Sequence, residues 1–256
     1  MLLSNLCKTY ILVTKAKEFP LVLVHGFLGS SVMWKPQIDF FKDNFRVITP
    51  DLPGYGKSNK AKSHNSIQSI ANLLLDCLEE KKIDKFYLLG HSMGGMIVQE
   101  MAKKGGDKIS KLVCYSTGPR GEMPGRFETV DQSRENLKKK GLEITAKNIA
   151  KTWFIKGEDA KYFDLCIDAG KQTSMETADN SLVAFKNWKG VDTLKDIKNE
   201  TLIIWGNQDK SYNLEQIQTL ENNIENCKLI IFKNCAHNVH LEQPDQFNKT
   251  VKDFLS

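Results

Sequence analysis

The sequence predicts an α/β fold: a mostly parallel sheet with flanking helices and one inserted helical block. Three observations predict it. Short apolar runs of strand type recur along the chain, amphipathic stretches of helical period separate them, and the alternation stops from about Gly118 to Val191. Strands that alternate with helices run parallel, because each return to the sheet needs a crossover of helix length.

Taken in order, strands are expected near 8–13, 21–25, 45–49, 86–90, 111–116, 201–206 and 228–232. Leu21-Val22-Leu23-Val24 and Thr201-Leu202-Ile203-Ile204-Trp205 are continuous apolar runs, the pattern of strands covered on both faces. Between strands, 69–82 carries Ile70, Leu73, Leu74, Cys77 and Leu78 as a helical stripe, and Met96, Ile97, Met101 and Ala102 repeat the pattern after Gly94-Gly95. In the interrupted block a helix is expected to end at Lys138-Lys139-Lys140 before Gly141, where cations suit the helix dipole. Further helices are expected at 146–155 with Thr145 as N-cap, at 158–171, and at 178–188 after Thr177. The expected division is therefore a sheet unit from 1–118 and 191–256 with a helical cap from 119–190.

The chain has 256 residues, long enough for one α/β domain with a large core. Hydrophobic residues make up 41% and charged residues 26%, the balance of a soluble globular protein. No run approaches the roughly 18 apolar residues of a membrane span, so no membrane partner is expected. The first residues lack a basic stretch followed by a long apolar one, so no signal peptide is expected. Six cysteines, at 7, 77, 114, 166, 227 and 235, are scattered without metal-ligand spacing, which points to a reduced, cytoplasmic setting and no metal. The net charge of +5 comes mainly from dispersed lysines. Without a basic stripe interleaved with aromatics, nucleic-acid binding is not expected.

The chemistry-bearing motif is Gly90-His91-Ser92-Met93-Gly94, a Gly-x-Ser-x-Gly pentapeptide between the run Phe86-Tyr87-Leu88-Leu89 and the helical pattern after it. Strand, sharp turn and helix are the setting of a nucleophile elbow, in which a strained turn lifts the serine hydroxyl above the sheet edge. Asp209 follows the strand that ends at Gly206, and His237 follows the strand Lys228-Leu229-Ile230-Ile231-Phe232. Serine is a weak nucleophile unaided. A histidine that accepts its proton and an aspartate that orients the histidine make it competent. Asp51 competes with Asp209 but sits in the turn Asp51-Leu52-Pro53-Gly54, where capping suffices. His240 competes with His237.

On these residues the chain resembles the α/β-hydrolase superfamily from about Leu21 onward. The resemblance also includes His25-Gly26-Phe27, the block Asp51-Leu52-Pro53-Gly54-Tyr55-Gly56-Lys57-Ser58, and the tail Ala236-His237-Asn238-Val239-His240-Leu241-Glu242-Gln243-Pro244. The tail matches the family's histidine segment when His237 is the catalytic one. The resemblance implies catalytic Ser92, Asp209 and His237, with the backbone N–H groups of Phe27 and Met93 as oxyanion donors. His25, His91, Trp153, Phe154 and Trp188 are candidate pocket residues, with cap packing the competing role for the aromatic ones. The stretch 89–99 looks most like that of capped small-ester and enol-lactone hydrolases, which implies a carboxylic ester or lactone as substrate and no cofactor. The same triad serves carbon–carbon bond hydrolases, thioesterases and a menaquinone-pathway lyase, and some members of the fold only bind ligands. The lyase usually carries arginine soon after Ser-Met-Gly-Gly, where this chain has Met96. A monomer or small homo-oligomer is expected.

Overall fold

The computed structural model describes residues 9–14, 19–122 and 124–256. Seven strands form one sheet: β1 (Ile11–Val13), β2 (Pro20–Val24), β3 (Arg46–Pro50), β4 (Phe86–His91), β5 (Ile109–Tyr115), β6 (Glu200–Gly206) and β7 (Cys227–Phe232). Their spatial order is β1-β3-β2-β4-β5-β6-β7. β1 pairs antiparallel with β3, and every other pair is parallel. All seven strands fall where the apolar runs predict them, and the antiparallel start is reduced to the three residues of β1. The part of the expected first strand before Thr9 lies outside the described residues.

The helices are α1 (Lys35–Phe41), α2 (Ile67–Glu80), α3 (Met93–Gly105), α4 (Val130–Lys140), α5 (Leu142–Lys151), α6 (Phe163–Lys171), α7 (Met175–Asn187), α8 (Leu214–Asn223), α9 (Val239–Glu242) and α10 (Pro244–Leu255). Alternate residues of β2 separate the two cores. Leu21 and Leu23 pack with Trp34, Phe41, Phe247 and Val251, whereas Val22 and Val24 face Leu74, Met96 and Ile97. Each such buried side chain contributes about 1.5–3 kcal/mol relative to exposure. Among the described residues no helix is long and apolar enough to cross a membrane. Cys114, Cys166, Cys227 and Cys235 are free thiols, but Cys77 is disulfide-bonded, which departs from the expectation of uniformly reduced cysteines.

Helices α4 to α7 occupy the chain between β5 and β6. The segment leaves and returns at one place, because Arg120 and Lys189 form an antiparallel bridge flanked by Gly121 N–H to Trp188 O (3.0 Å) and Gly190 N–H to Pro119 O (2.9 Å). Its helix starts differ from those expected. α5 begins at Leu142 rather than 146, which places Thr145 inside the helix and buried; Gly141, at φ 80°, occupies the N-cap. A short 3₁₀ turn at Gly157–Asp159 precedes α6, so 158–171 is not one helix. Ser174 rather than Thr177 caps α7, accepting the Thr177 N–H at 3.1 Å. Serine and threonine three residues apart offer equivalent caps by composition, and packing of the apolar face selects between them.

The joint between β4 and α3 has no room for side chains. A Cβ on Gly90 would lie 2.2 Å from Gly94 O, and one on Gly94 would lie 2.3 Å from Val24 O. Both obstacles are backbone, so neither can rotate away. Gly94→Ala is therefore expected to cost about 1–3 kcal/mol or more through forced strand displacement. Urea denaturation should show a lower midpoint, and an unchanged midpoint would mean that the joint is looser than its geometry indicates.

Candidate active site

Ser92 sits between β4 and α3 at φ 56°, ψ −117°, a conformation that L-residues avoid unless the surroundings enforce it. Its N–H donates to Tyr115 O at 2.9 Å, and Thr117 Oγ1 donates to Ser92 O at 2.8 Å. With Gly90 and Gly94 closing the approach, these bonds hold the turn. Met93 is the first residue of α3, so its N–H has no partner within the helix and lies at the positive end of the helix dipole. Phe27 lies in the loop after β2, and its ring meets Phe185 edge to face at 5.5 Å.

Asp209 and His237 lie in the loops after β6 and β7, at the same sheet edge as Ser92 because the three strands run parallel. His237 Nδ1 donates to Asp209 Oδ2 at 2.9 Å, with side chains only 2% and 0% exposed. Asp209 Oδ1 accepts the N–H groups of Ser211 (2.7 Å) and Tyr212 (3.3 Å), so both carboxylate oxygens are held. Donation from Nδ1 leaves Nε2 of the neutral ring as an acceptor. No hydrogen bond joins Ser92 and His237 among the described residues, yet both line one cavity of about 20 Å³, room for about one water. Nucleophile–base contacts are often long without substrate.

Phe27, Ile149, Trp153 and Phe185 supply the apolar wall of this cavity; Arg126, Ser211 and Tyr212 complete it. Of the candidate pocket residues only Trp153 is there, beside Phe27 from the expected oxyanion loop. His25 lies in the core, where Nδ1 donates to Gly26 O (2.8 Å) and Nε2 accepts the Leu52 N–H (3.0 Å), an arrangement that fixes the loop carrying Phe27. Phe154 lines a separate cavity of about 480 Å³ beside Leu241 and Glu242. Trp188 donates from Nε1 to Glu100 at 2.7 Å. Asp51 accepts the N–H groups of Ser31 (2.6 Å) and Lys57 (2.9 Å), a loop-stapling role consistent with its turn.

His91 and His240 form a buried layer beneath His237. The Tyr115 hydroxyl donates to His237 O at 2.9 Å, stands 2.9 Å from His240 Nδ1 and accepts the His240 N–H at 3.1 Å. His91 stacks on Tyr115 at 4.6 Å and its Nε2 donates to His237 O at 3.3 Å. Burial, reinforced by His237, pushes His240 from 6.5 to about 3, and burial likewise holds His91 well below 6.5. Above 6.5 these rings are neutral in both states and add no pH dependence. Below it the unfolded chain binds protons that the folded chain refuses, so stability falls with pH by up to about 1.4 kcal/mol per unit per ring. Melting temperature should therefore drop steeply between about pH 6.5 and pH 4, and His240→Gln should flatten the slope. An identical slope in the variant would remove His240 from this account.

The fold agrees with comparisons to known proteins. A family model described as alpha/beta hydrolase fold matches residues 20–244. A 2-hydroxy-6-oxononadienedioate/2-hydroxy-6-oxononatrienedioate hydrolase of Pseudomonas putida is 31% identical over 225 residues, 83% of this chain and 78% of that protein. A pimeloyl-[acyl-carrier protein] methyl ester esterase of Legionella pneumophila (strain Corby) is 29% identical over 240 residues, 92% and 95% of the two chains. The enol-lactonase from Burkholderia xenovorans LB400 superposes with a TM-score of 0.88 at 22% identity, covering 96% of each chain, and so shares the fold. With the family model spanning the sheet from β2 through the start of α10, this chain belongs to the α/β-hydrolase fold family.

Proposed function

We propose that this hydrolase cleaves a small carboxylic ester or lactone through an acyl-enzyme on Ser92. The observation that carries the reading is the convergence on one cavity of a strained serine and a histidine held by a buried aspartate. Ser92 Oγ attacks the carbonyl carbon while its proton passes to His237 Nε2. Asp209 keeps Nδ1 protonated and stabilises the imidazolium without taking the proton. The tetrahedral oxyanion rests on the N–H groups of Phe27 and Met93, each such donor typically worth about 3–4 kcal/mol in the transition state. Collapse expels the alcohol, or opens the lactone ring, with the proton returned from His237. Water then repeats the sequence and releases the acid.

The relatives support this class of reaction, since one is named for a methyl ester and a fold neighbour for an enol-lactone. The Pseudomonas putida relative favours one second reading, hydrolysis of a carbon–carbon bond in an oxo-acid by the same residues. Ser92→Ala should lower turnover of short-chain esters by several orders of magnitude, and a fluorophosphonate should add its mass at Ser92. Labelling elsewhere, or an active alanine variant, would defeat the assignment. Tight ligand retention without turnover would mark a binding protein instead.

The segment 119–190 acts in this proposal as a cap that chooses substrate without doing chemistry. It supplies Ile149, Trp153 and Phe185 to the cavity, while serine, acid and base all come from the sheet loops. Trp153→Ala should shift the preferred acyl or alcohol length, because each methylene in an apolar pocket is worth about 1–3 kcal/mol. The readout is the ranking of kcat/KM across a homologous ester series. A ranking that matches the parent would show that Trp153 serves packing alone.

A further inference from the structure

Arg126 is the one permanently charged residue among those lining the cavity that holds Ser92 and His237. It is half-buried, and its position is fixed. Nη1 donates to Glu128 O (2.7 Å) and to Ser133 Oγ (2.9 Å), and the guanidinium lies over the Phe127 ring at 4.2 Å. Two bonds fasten the same segment to the loop after Asp209: Phe127 N–H to Lys210 O (3.0 Å) and Asn213 Nδ2 to Pro124 O (3.0 Å). The arginine is therefore held in register with the acid of the site.

What its guanidinium lacks, among the described residues, is a direct carboxylate contact. Among the described residues Arg126 enters no ion pair, and its Nε and Nη2 donors make no hydrogen bond. Glu128 reaches it only through Ser133, whose hydroxyl accepts from Nη1 and donates to Oε1, while Oε2 accepts from Asn136. Burial weighs against the charged form of the guanidinium, with Glu128 only partly offsetting it. A structural arginine in such a place normally meets a carboxylate in bidentate fashion. Arg126 also lines a second cavity, of about 360 Å³, with the acids Glu122, Glu128 and Asp131 and with Lys186. No acid lines the Ser92 side.

We infer that Arg126 recognises a carboxylate of the substrate, so that the ester or lactone opened at Ser92 carries a second, ionised carboxyl group. The inference rests on the serine-hydrolase reading and deepens it to a substrate class: half-esters of dicarboxylic acids, esters of hydroxy acids, or carboxylated lactones. The two idle donors of a pre-positioned guanidinium match a carboxylate fork. Phe27, Ile149, Trp153 and Phe185 beside it suit the hydrocarbon between the two carbonyl groups.

Purified protein would be assayed on the monomethyl esters from succinate to pimelate, and on acetyl esters of ω-hydroxy acids, each against its uncharged isostere. The parent should favour at least one anionic series. Arg126→Met should lower the anionic-to-neutral ratio of kcat/KM by about tenfold to a hundredfold, with Arg126→Lys intermediate because it keeps the charge without the fork. A parent without preference, or a ratio untouched in both variants, would overturn the inference. If Arg126→Met fails to fold, the ratio in Arg126→Lys and competitive inhibition of the parent by glutarate decide, and the absence of both effects overturns it. If no ester of either kind turns over and Ser92 does not label, it is the hydrolase reading that has failed. Calorimetric titration of the parent and Arg126→Met with the same dicarboxylates then tests the site alone: binding lost in the variant supports it, and equal or absent binding removes it.

Discussion

The close approach of the first turn of α3 to the ends of β2 and β4 is the constraint on which the rest depends. Only glycine at 90 and 94 lets Gly94 come so near the Val24 carbonyl that no Cβ would fit. That contact forces the chain through Ser92 at φ 56° and aims the start of α3 at the cavity. The strain is held by the Ser92 N–H on Tyr115 and the Thr117 hydroxyl on Ser92 O, both from the neighbouring strand β5 or just beyond it. Parallel pairing then delivers the loops after β6 and β7 to the same edge, so Asp209 and His237 reach the Ser92 side of the sheet without special topology.

The histidine loop is held from two sides. Below it, Tyr115 and His91 both donate to the His237 carbonyl, and Gln37 reaches the His240 carbonyl at 2.9 Å. Above it, Asn238 N–H donates to Trp153 O at 3.0 Å, while the Glu242 carboxylate joins the Ile155 N–H (2.7 Å) to the Ala236 N–H (2.6 Å). The helical segment and the sheet thus share a set of bonds around one imidazole. The cost is a layer of buried rings that must stay neutral, which ties the order of the site to pH.

The strands and the positions of Ser92, Asp209 and His237 at strand ends were legible because each depends on local signals. Apolar runs mark the strands, glycines at fixed offsets mark the elbow, and Asp209 and His237 each follow a strand end. Helix starts between 141 and 178 were less legible, since several Ser, Thr and Gly residues offer equivalent caps and only tertiary packing ranks them. The cavity wall was hardest. Ser211 and Tyr212 could have been suspected from their adjacency to Asp209. Arg126 carries no such signal, for a lone arginine after Gly125 acquires its meaning only when its segment is tied to the Asp209 loop.

Those ties also bear on how a substrate reaches Ser92. A cavity of about 20 Å³ has room for about one water, so under the proposed reaction its wall would have to move to admit an ester. The backbone at Phe127 is bonded to Lys210, and that at Trp153 is bonded to Asn238. A hinged displacement of either segment would pull on the loop that carries the acid or the base. Rotation of the Trp153 and Phe185 side chains would open the same space while leaving those backbone bonds, and the bonds that hold Arg126, intact. Entry by side-chain rotation would therefore keep Asp209 and His237 in register while the cavity widened.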